Sequence, residues 1–253
     1  MMTFNLRYDN AEDNENGWGY RKAEVVEMID FYHPDILGIQ EGLYNQVTYL
    51  DSALTDYDYT GVGREDGKRQ GEFSAIFYNK HKVKLISSRT YWLSETPDTV
   101  SIGWDAALER IVTLGKFVQL KNKDTFYVFN CHMDHIGKLA RGNSAKLILR
   151  IIDGMKIWNK KVIVMGDLNS EPDDAAVHTL TSKLSDMRGK PHVVSHGPDG
   201  TFNQFNIDLP VTKRIDYIFV KNITVTEHIH IDDRRKNNLW LSDHLPVLVK
   251  MRL

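Results

Sequence analysis

The chain has 253 residues, of which 42% are hydrophobic and 26% are charged, and this ordinary globular composition excludes a disordered chain. The formal net charge of -2 excludes the broad basic surface with which proteins neutralise long duplex DNA. The single cysteine cannot form an internal disulfide, which fits a reducing compartment without excluding an exported protein.

The sequence shows no membrane span and no leader. No apolar run is long enough to cross a bilayer, and no basic and then apolar segment precedes the first predicted strand. A leader could have been removed, so the compartment stays open between a soluble cytoplasmic protein and an exported one. Without repeats or low-complexity linkers, the length predicts one domain over residues 1–253, which we expect to be a monomer.

The first part of the chain predicts a strand, a helix and a second strand. Residues 3–8 alternate, residues 25–32 have helical spacing, and residues 35–40 form an apolar run. A right-handed crossover makes the two strands parallel, so Asn5 and Glu41 should emerge at one sheet edge, where open α/β sheets bind ligands. The alternative is that Glu41 begins the helix predicted after it.

A hairpin follows, with strands over residues 57–63 and 72–78. Its turn, REDGKRQG (64–71), is charged, and such turns are most often only solvated. Lys68 and Arg69 at the tip could nevertheless hold a phosphate.

The next loop, residues 94–107, carries Trp104, which could stack a base or simply pack over the edge of the core. Two further strands, 109–120 and 125–132, predict a second hairpin.

That second hairpin ends in Asn130-Cys131-His132-Met133-Asp134-His135. Neighbouring strand residues point to opposite faces, so if His132 faces a site, Cys131 faces the core, and a Cys-His nucleophile pair is rejected. A histidine beside further acids and imidazoles suits acid chemistry at neutral pH. Zinc is an alternative here, but carboxylates and amides at the other strand ends favour Mg²⁺ or Mn²⁺.

The segment VIVMGDLNSEP (162–172) predicts a buried strand that ends in turn residues, preceded by a helix with an apolar stripe from Ala145 to Trp158. Asp167 and Asn169 at the mouth of this strand offer oxygens suited to Mg²⁺ and to a positioned water. They could instead only cap a turn.

The last part of the chain predicts a helix over 175–184, a loop over 192–208, and strands over 214–220, 223–231 and 247–251. Together with the earlier elements they predict two packed sheets with helices outside.

Four motifs, in this order, resemble those of the endonuclease/exonuclease/phosphatase superfamily: Gln40-Glu41, Gly-Asp-Leu-Asn-Ser (166–170), Arg-Ile-Asp-Tyr-Ile-Phe (214–219) and Ser-Asp-His-Leu-Pro (242–246). The resemblance covers the whole chain. It implies an α/β (α+β) fold, a four-layer α-β-β-α sandwich of two mixed sheets flanked by helices. It also implies one or two Mg²⁺ or Mn²⁺ ions and hydrolysis of a phosphate ester by direct attack of water. Members act on DNA, RNA, nucleotides, inositol phosphates or sphingomyelin, so the resemblance gives the chemistry and not the substrate.

The resemblance also implies roles for the metal site and the water. Glu41 resembles the main metal ligand, assisted by Asn5, and Asp243 matches an acid that serves a second metal or orients an imidazole. Asp167 resembles the residue that aligns or deprotonates the attacking water, and Asn169 would hold water or phosphate.

Further roles concern the phosphate and the leaving group. His244 resembles the imidazole that contacts the scissile phosphate, and His132 the general acid or phosphate clamp with Glu72 as its partner. Asp216 is a site residue by its motif, without a defined role, and Cys131 stands where many members have threonine. Substrate contacts are expected from a basic and aromatic set: Lys68, Arg69, Trp104, Arg110 and Arg141.

The basic residues are dispersed along the chain, which predicts a compact phosphorylated molecule or the end of a single strand of nucleic acid as substrate and disfavours long duplex DNA. The alternative from another class is a catalytically silent domain that binds a phosphorylated ligand or protein in the same groove. The complete set of polar positions argues against silence, because a binding module needs no water-activating acid and no leaving-group donor.

Overall fold

Two β-sheets pack face to face in the computed structural model, which describes residues 1–253. The strands follow the chain as β1 (Met2–Asn5), β2 (Ile36–Gln40), β3 (Tyr57–Thr60), β4 (Ile76–Asn79), β5 (Val83–Trp92), β6 (Ile111–Gln119), β7 (Thr125–His132), β8 (Lys161–Asp167), β9 (Ser185–Asp186), β10 (Val194–His196), β11 (Asp216–Lys221), β12 (Thr224–His230) and β13 (Val247–Arg252). One sheet has seven strands in the order β10-β12-β13-β1-β2-β4-β3, and the other has six in the order β5-β6-β7-β8-β11-β9.

Four α-helices cover the outer faces of the sheets: α1 (Trp18–Tyr32), α2 (Tyr44–Ala53), α3 (Lys138–Gly154) and α4 (Ala175–Thr181). A 3-10 helix, Ala11–Asn16, precedes α1. No helix combines the length and the apolarity that a bilayer crossing requires.

Three layers of buried apolar side chains hold the four layers of structure together. One lies between α1, α2 and the seven-stranded sheet (Phe4, Val25, Val47, Phe77), one lies between the sheets (Phe117, Phe126, Ile163, Ile218, Val247), and one lies between the six-stranded sheet and α3 and α4 (Val112, Ile148, Val164, Leu180). Such burial is the main favourable term in folding. The predicted α-β-β-α sandwich is confirmed.

Strand register brings the ends of the central strands to one edge of the sandwich. β1 and β2 are parallel with Asn5 opposite Gln40. In the other sheet β7 and β8 are parallel with His132 opposite Asp167, and β11 pairs antiparallel with β8 so that Asp216 also lies opposite Asp167. The predicted parallel crossover is therefore confirmed, and Cys131 faces the core as alternation required.

Several element bounds differ from the sequence prediction. The first hairpin is shorter, because Gly61 and Gly71 adopt positive φ angles and the chain leaves the sheet between Thr60 and Ile76. The helix predicted over 175–184 ends at Thr181. The loop predicted over 192–208 contains β10, whose side chains are all exposed and so lack the alternation by which strands are recognised.

Candidate active site

A cleft of about 520 Å³ opens where β1, β2, β7 and β8 end. Its walls come from both sheets and from the loops that follow them. Gly166, just before Asp167, has a φ of 135° and lies so close to the Cys131 carbonyl that any Cβ would overlap it. Glycine at this position therefore allows β7 and β8 to meet tightly directly beneath the site.

Asn5 joins two carboxylates at the floor of the cleft. Its Nδ2 donates to Glu41 Oε1 (3.0 Å) and to Asp167 Oδ2 (2.9 Å). Glu41 also accepts from the backbone N–H of Tyr8 (3.2 Å) and has a φ of 59°, a backbone conformation that side chains other than glycine rarely adopt. Backbone strain of this kind is concentrated at functional sites.

Asp167, His244 and Asp216 form a second buried group. His244 Nδ1 lies 2.9 Å from Asp216 Oδ2 and its Nε2 lies 3.8 Å from Asp167 Oδ2. Although burial opposes the charge, Asp216 and Asp167 raise the pKa of His244 well above its usual range. Thr201 Oγ1 donates to the same Asp216 oxygen (2.6 Å) and so fixes the carboxylate that orients the imidazole.

His132 occupies the opposite wall. Its Nδ1 lies 3.4 Å from Glu72 Oε2 and its Nε2 lies 3.6 Å from Asp167 Oδ2. Arg110 Nη1 lies 3.1 Å from both ring nitrogens, and Asn169 Nδ2 lies 3.2 Å from Nε2. Burial, reinforced by the Arg110 charge, lowers the pKa of His132 to about 3. The imidazole is therefore neutral in this wall.

Asn169 and Asp243 complete the predicted set. The Asn169 backbone N–H donates to Asp167 Oδ1 (2.7 Å), and its side chain donates to the Met133 carbonyl (3.0 Å). Asp243 lines the cleft next to His244 and accepts from Ser242 Oγ (3.3 Å). Burial raises the pKa of Asp243.

The donor set fits a hard divalent cation. Ligand atoms of Glu41, His132 and Asp167 lie within 4.8 Å of one another, and so do those of Asp167, Asp216 and His244. Burial, together with the Asp216 charge, raises the pKa of Asp167, and Asp216 Oδ1 is buried without a hydrogen-bond partner. A cation would reduce the repulsion between these carboxylates and would give Asp216 Oδ1 the partner that it lacks.

The structure brings one of the five predicted substrate-binding residues, Arg110, to the cleft. Lys68 and Arg69 are exposed outside it, because the tip of the turn folds away and the Arg69 guanidinium lies 4.9 Å above the Tyr44 ring. Trp104 packs against the core layer under α3, and Arg141 is buried where it donates to the Asp134 carbonyl (3.0 Å).

Several cleft residues were missed by sequence reasoning. Arg64 opens the charged turn but is buried, and its Nη1 donates to Glu72 Oε2 (2.6 Å). Arg7 lies two residues after Asn5, so the alternation of the first strand already pointed it toward the site. The Phe202 ring packs against the His244 ring, with 4.8 Å between the ring centroids. Nothing in the local sequence around Phe202 indicates this contact.

The chain matches the Endonuclease/Exonuclease/phosphatase family over residues 2–244. The endonuclease/exonuclease/phosphatase from Bacteroides vulgatus is 38% identical, with a TM-score of 0.93 and coverage of 100% of this chain and 97% of that chain. A mannosyl-6-phosphatase from Bacteroides thetaiotaomicron is 37% identical, with a TM-score of 0.93 and coverage of 100% and 98%.

An uncharacterized protein of Acanthamoeba polyphaga mimivirus is 27% identical over 252 residues, which span 92% of this chain and 91% of that protein. Fold, motif order and family match agree over nearly the full length, and the chain belongs to the endonuclease/exonuclease/phosphatase family.

Proposed function

We propose that this protein is a Mg²⁺- or Mn²⁺-dependent phosphoesterase that hydrolyses a compact phosphate ester by direct attack of water. The observation that carries this proposal is the convergence of Glu41, Asp167 and His244 in one cleft. A phosphate ester needs charge neutralisation on its oxygens and a positioned water, and these side chains supply the means for both. It also needs a donor for the leaving oxygen, which the opposite wall of the cleft offers.

Glu41 and Asp167 would hold the cation, with Asn5 fixing both carboxylates and Asp243 available to a second ion. When bound, the cation neutralises charge on the phosphoryl oxygens. Asn5 keeps the two carboxylates in place, so little reorganisation is needed on binding.

The chain's own residues then position the water and the phosphate. Asp167 aligns the attacking water and accepts its proton. His244, oriented by Asp216, donates from Nε2 to a phosphoryl oxygen. On the other wall, His132 with Glu72, Asn169 and Arg110 contacts the phosphate or the leaving oxygen.

A compact substrate fits the cleft best. The volume of the cleft, about 520 Å³, falls within the range of about 300–1,000 Å³ that is usual for small-molecule sites. Trp104 packs on the core, so the aromatic platform expected for a single-strand end does not face the cleft. The similar mannosyl-6-phosphatase supports a phosphomonoester of a sugar or another small alcohol. We also propose that residues 1–253 act as one domain, because Asn5 and Asp167 belong to different sheets.

The test is phosphate release from a panel of sugar phosphates, nucleotides, short single strands and plasmid DNA with added Mg²⁺ or Mn²⁺. The matched control is Asp167→Asn, which keeps the shape of the side chain. We expect the wild-type protein to release phosphate from a small monoester and the Asp167→Asn variant not to do so. Cutting of plasmid alone would move the protein to the nucleases, and tight phosphate binding without turnover would make it a silent binding domain.

A further inference from the structure

Three apolar side chains are exposed in segments that adjoin the cleft residues Arg110 and His135 in the chain: Leu108, which itself lines the cleft, is 38% exposed, and Ile136 and Leu139 are 64% and 58% exposed. We call these three residues the apolar rim. Scattered exposed apolar residues are ordinary, but a group beside a polar cleft marks a binding surface more often.

Two aspartates hold the rim in a fixed shape. Asp134 accepts from the backbone N–H of Ala107 through Oδ2 (3.2 Å), and from those of Ile136 and Gly137 through Oδ1 (2.9 and 2.7 Å). Asp105 accepts from Leu139 (3.2 Å) and from the residue after it (2.6 Å). The loop before β6 and the segment that leads into α3 are thus held to each other, so the backbone that carries the three apolar side chains is ordered before a ligand binds.

The rim is continuous with the catalytic cleft. Leu108 lines the cleft itself, as does His135, the residue before Ile136. Arg110, two residues after Leu108, lies 2.8 Å from His135 through Nη2 and also contacts His132. An ester group that leaves the catalytic residues on this side of the cleft would pass Arg110 and His135 and meet Leu108.

We infer that the apolar rim binds an apolar face of the alcohol portion of the substrate, so that the enzyme prefers phosphomonoesters whose alcohol carries hydrocarbon next to the phosphate. This inference rests on the proposed function and specifies its substrate class. The occupant is a part of the substrate and not a second protein, because three side chains fall far short of the roughly 800 Å² per partner that a stable protein interface buries.

A series of n-alkyl phosphates, from ethyl to hexyl, tests the inference with leaving groups of nearly constant chemistry. Full burial of a methylene corresponds to about fourfold in binding, and a half-open rim should give about twofold for each methylene. We expect kcat/KM to rise by that factor through KM, because contact with an unreactive chain stabilises the ground state and the transition state equally.

Leu108→Ser with Ile136→Ser should remove this chain-length dependence, so that kcat/KM becomes the same for ethyl phosphate and for hexyl phosphate. Phe31→Ala is the matched control, because this side chain on α1 is 79% exposed and takes no part in the cleft. The control should keep the wild-type dependence.

The inference is overturned if wild-type kcat/KM does not rise with chain length, or if the double variant keeps the rise. Hydrolysis of sugar phosphates without any hydrolysis of alkyl phosphates would also overturn it while leaving the proposed function intact. If the wild-type protein and Phe31→Ala bound phosphatidylcholine vesicles and the double variant did not, the rim would be assigned to a membrane surface instead. If no phosphate ester is hydrolysed at all, the proposed function fails and the inference fails with it.

Discussion

Glu41 and Asn169 both occupy the left-handed backbone region, with φ of 59° and 47°. Two strained residues in one site cost on the order of 1–3 kcal/mol each, and hydrogen bonds hold both: Glu41 through Asn5 and Tyr8, Asn169 through Asp167 and Met133. This backbone strain is consistent with a site whose side chains have to be in position before the ligand binds.

Glu41→Gln should weaken binding of Mg²⁺ and leave turnover recoverable at high Mg²⁺, since the amide keeps the shape but loses the charge that attracts the cation. The measurement is activity against Mg²⁺ concentration for both proteins. Glu12→Gln, at an exposed glutamate that does not line the cleft, serves as control. An unchanged Mg²⁺ requirement would remove Glu41 from the metal site.

Asp167→Asn and His244→Asn should each lose about two orders of magnitude or more in kcat at every Mg²⁺ concentration, because they remove proton handling and phosphate contact. Both side chains are buried, so urea unfolding has to show that each variant is folded at the assay temperature. Near wild-type kcat in folded His244→Asn would contradict the role proposed for the imidazole.

At the scale of single residues, sequence reasoning worked where a side chain follows directly from a strand end. Asn5, Glu41, His132 and Asp167 meet because strand register puts them there. Lys68 and Arg69 could not be judged in this way, because the direction of a turn depends on packing at its base, where Arg64 is held by Glu72. Charge alone did not distinguish the buried arginine from the exposed pair.

Among the elements, β12 has the most unusual chemistry, because it buries His228 and His230 on one face. Their rings lie 5.3 Å apart, and His230 Nδ1 lies 2.8 Å from the Pro198 carbonyl. The charged groups that act on them are two arginines from neighbouring segments, Arg188 and Arg214, which pair with Asp199 and Asp186. Burial, reinforced by Arg188, lowers the pKa of both histidines to about 3.

These histidines predict a loss of stability in mild acid. Unfolded histidine has a pKa of about 6.5, so between about pH 6.5 and pH 3 the unfolded chain binds more protons and the free energy of unfolding falls as pH falls. Above that window their contribution is fully present. At pH 5 the loss is about 2 kcal/mol for each histidine.

Urea unfolding at pH 7 and pH 5 measures this loss. His228→Gln should reduce the difference between the two pH values, whereas His81→Gln should leave it unchanged because His81 is exposed. A wild-type protein equally stable at both pH values would show that the two imidazoles are already protonated or hydrated in the folded state.

Strands and helices were predicted where buried apolar side chains form a recognisable pattern. The apolar stripe of α3 packs into the layer beneath the six-stranded sheet, and the apolar run of β8 is buried on both faces of that sheet. β10 was missed because backbone pairing with β12 forms it while its side chains stay in solvent. The end of α4 and the bounds of the first hairpin were misplaced because they depend on local glycine geometry and capping contacts, which hydrophobic periodicity does not report.

For the whole molecule, the four-layer sandwich forms the cleft from two sheets that pack face to face. Apolar side chains fill all three interlayer spaces, and the candidate metal ligands contribute little to them. Chelation should therefore abolish phosphoester hydrolysis and leave the thermal midpoint within a few degrees, as checked by activity and circular dichroism in excess chelator. Full activity in chelator, or restoration by zinc alone, would contradict the assignment of a hard-cation site.

The position of β1 between β2 and β13 has a consequence for biosynthesis. Ser242 Oγ donates to the Asn5 carbonyl (2.8 Å), although the two residues are 237 positions apart in the chain. β13, which pairs with β1, is synthesised later still. At about 5–20 residues per second, a ribosome needs on the order of ten to fifty seconds to cover this distance. Throughout that time the nascent protein carries an open edge on its central strand and an unfinished site. Its need for chaperones should be greatest then, and hydrolysis should begin only after the last strand leaves the exit tunnel.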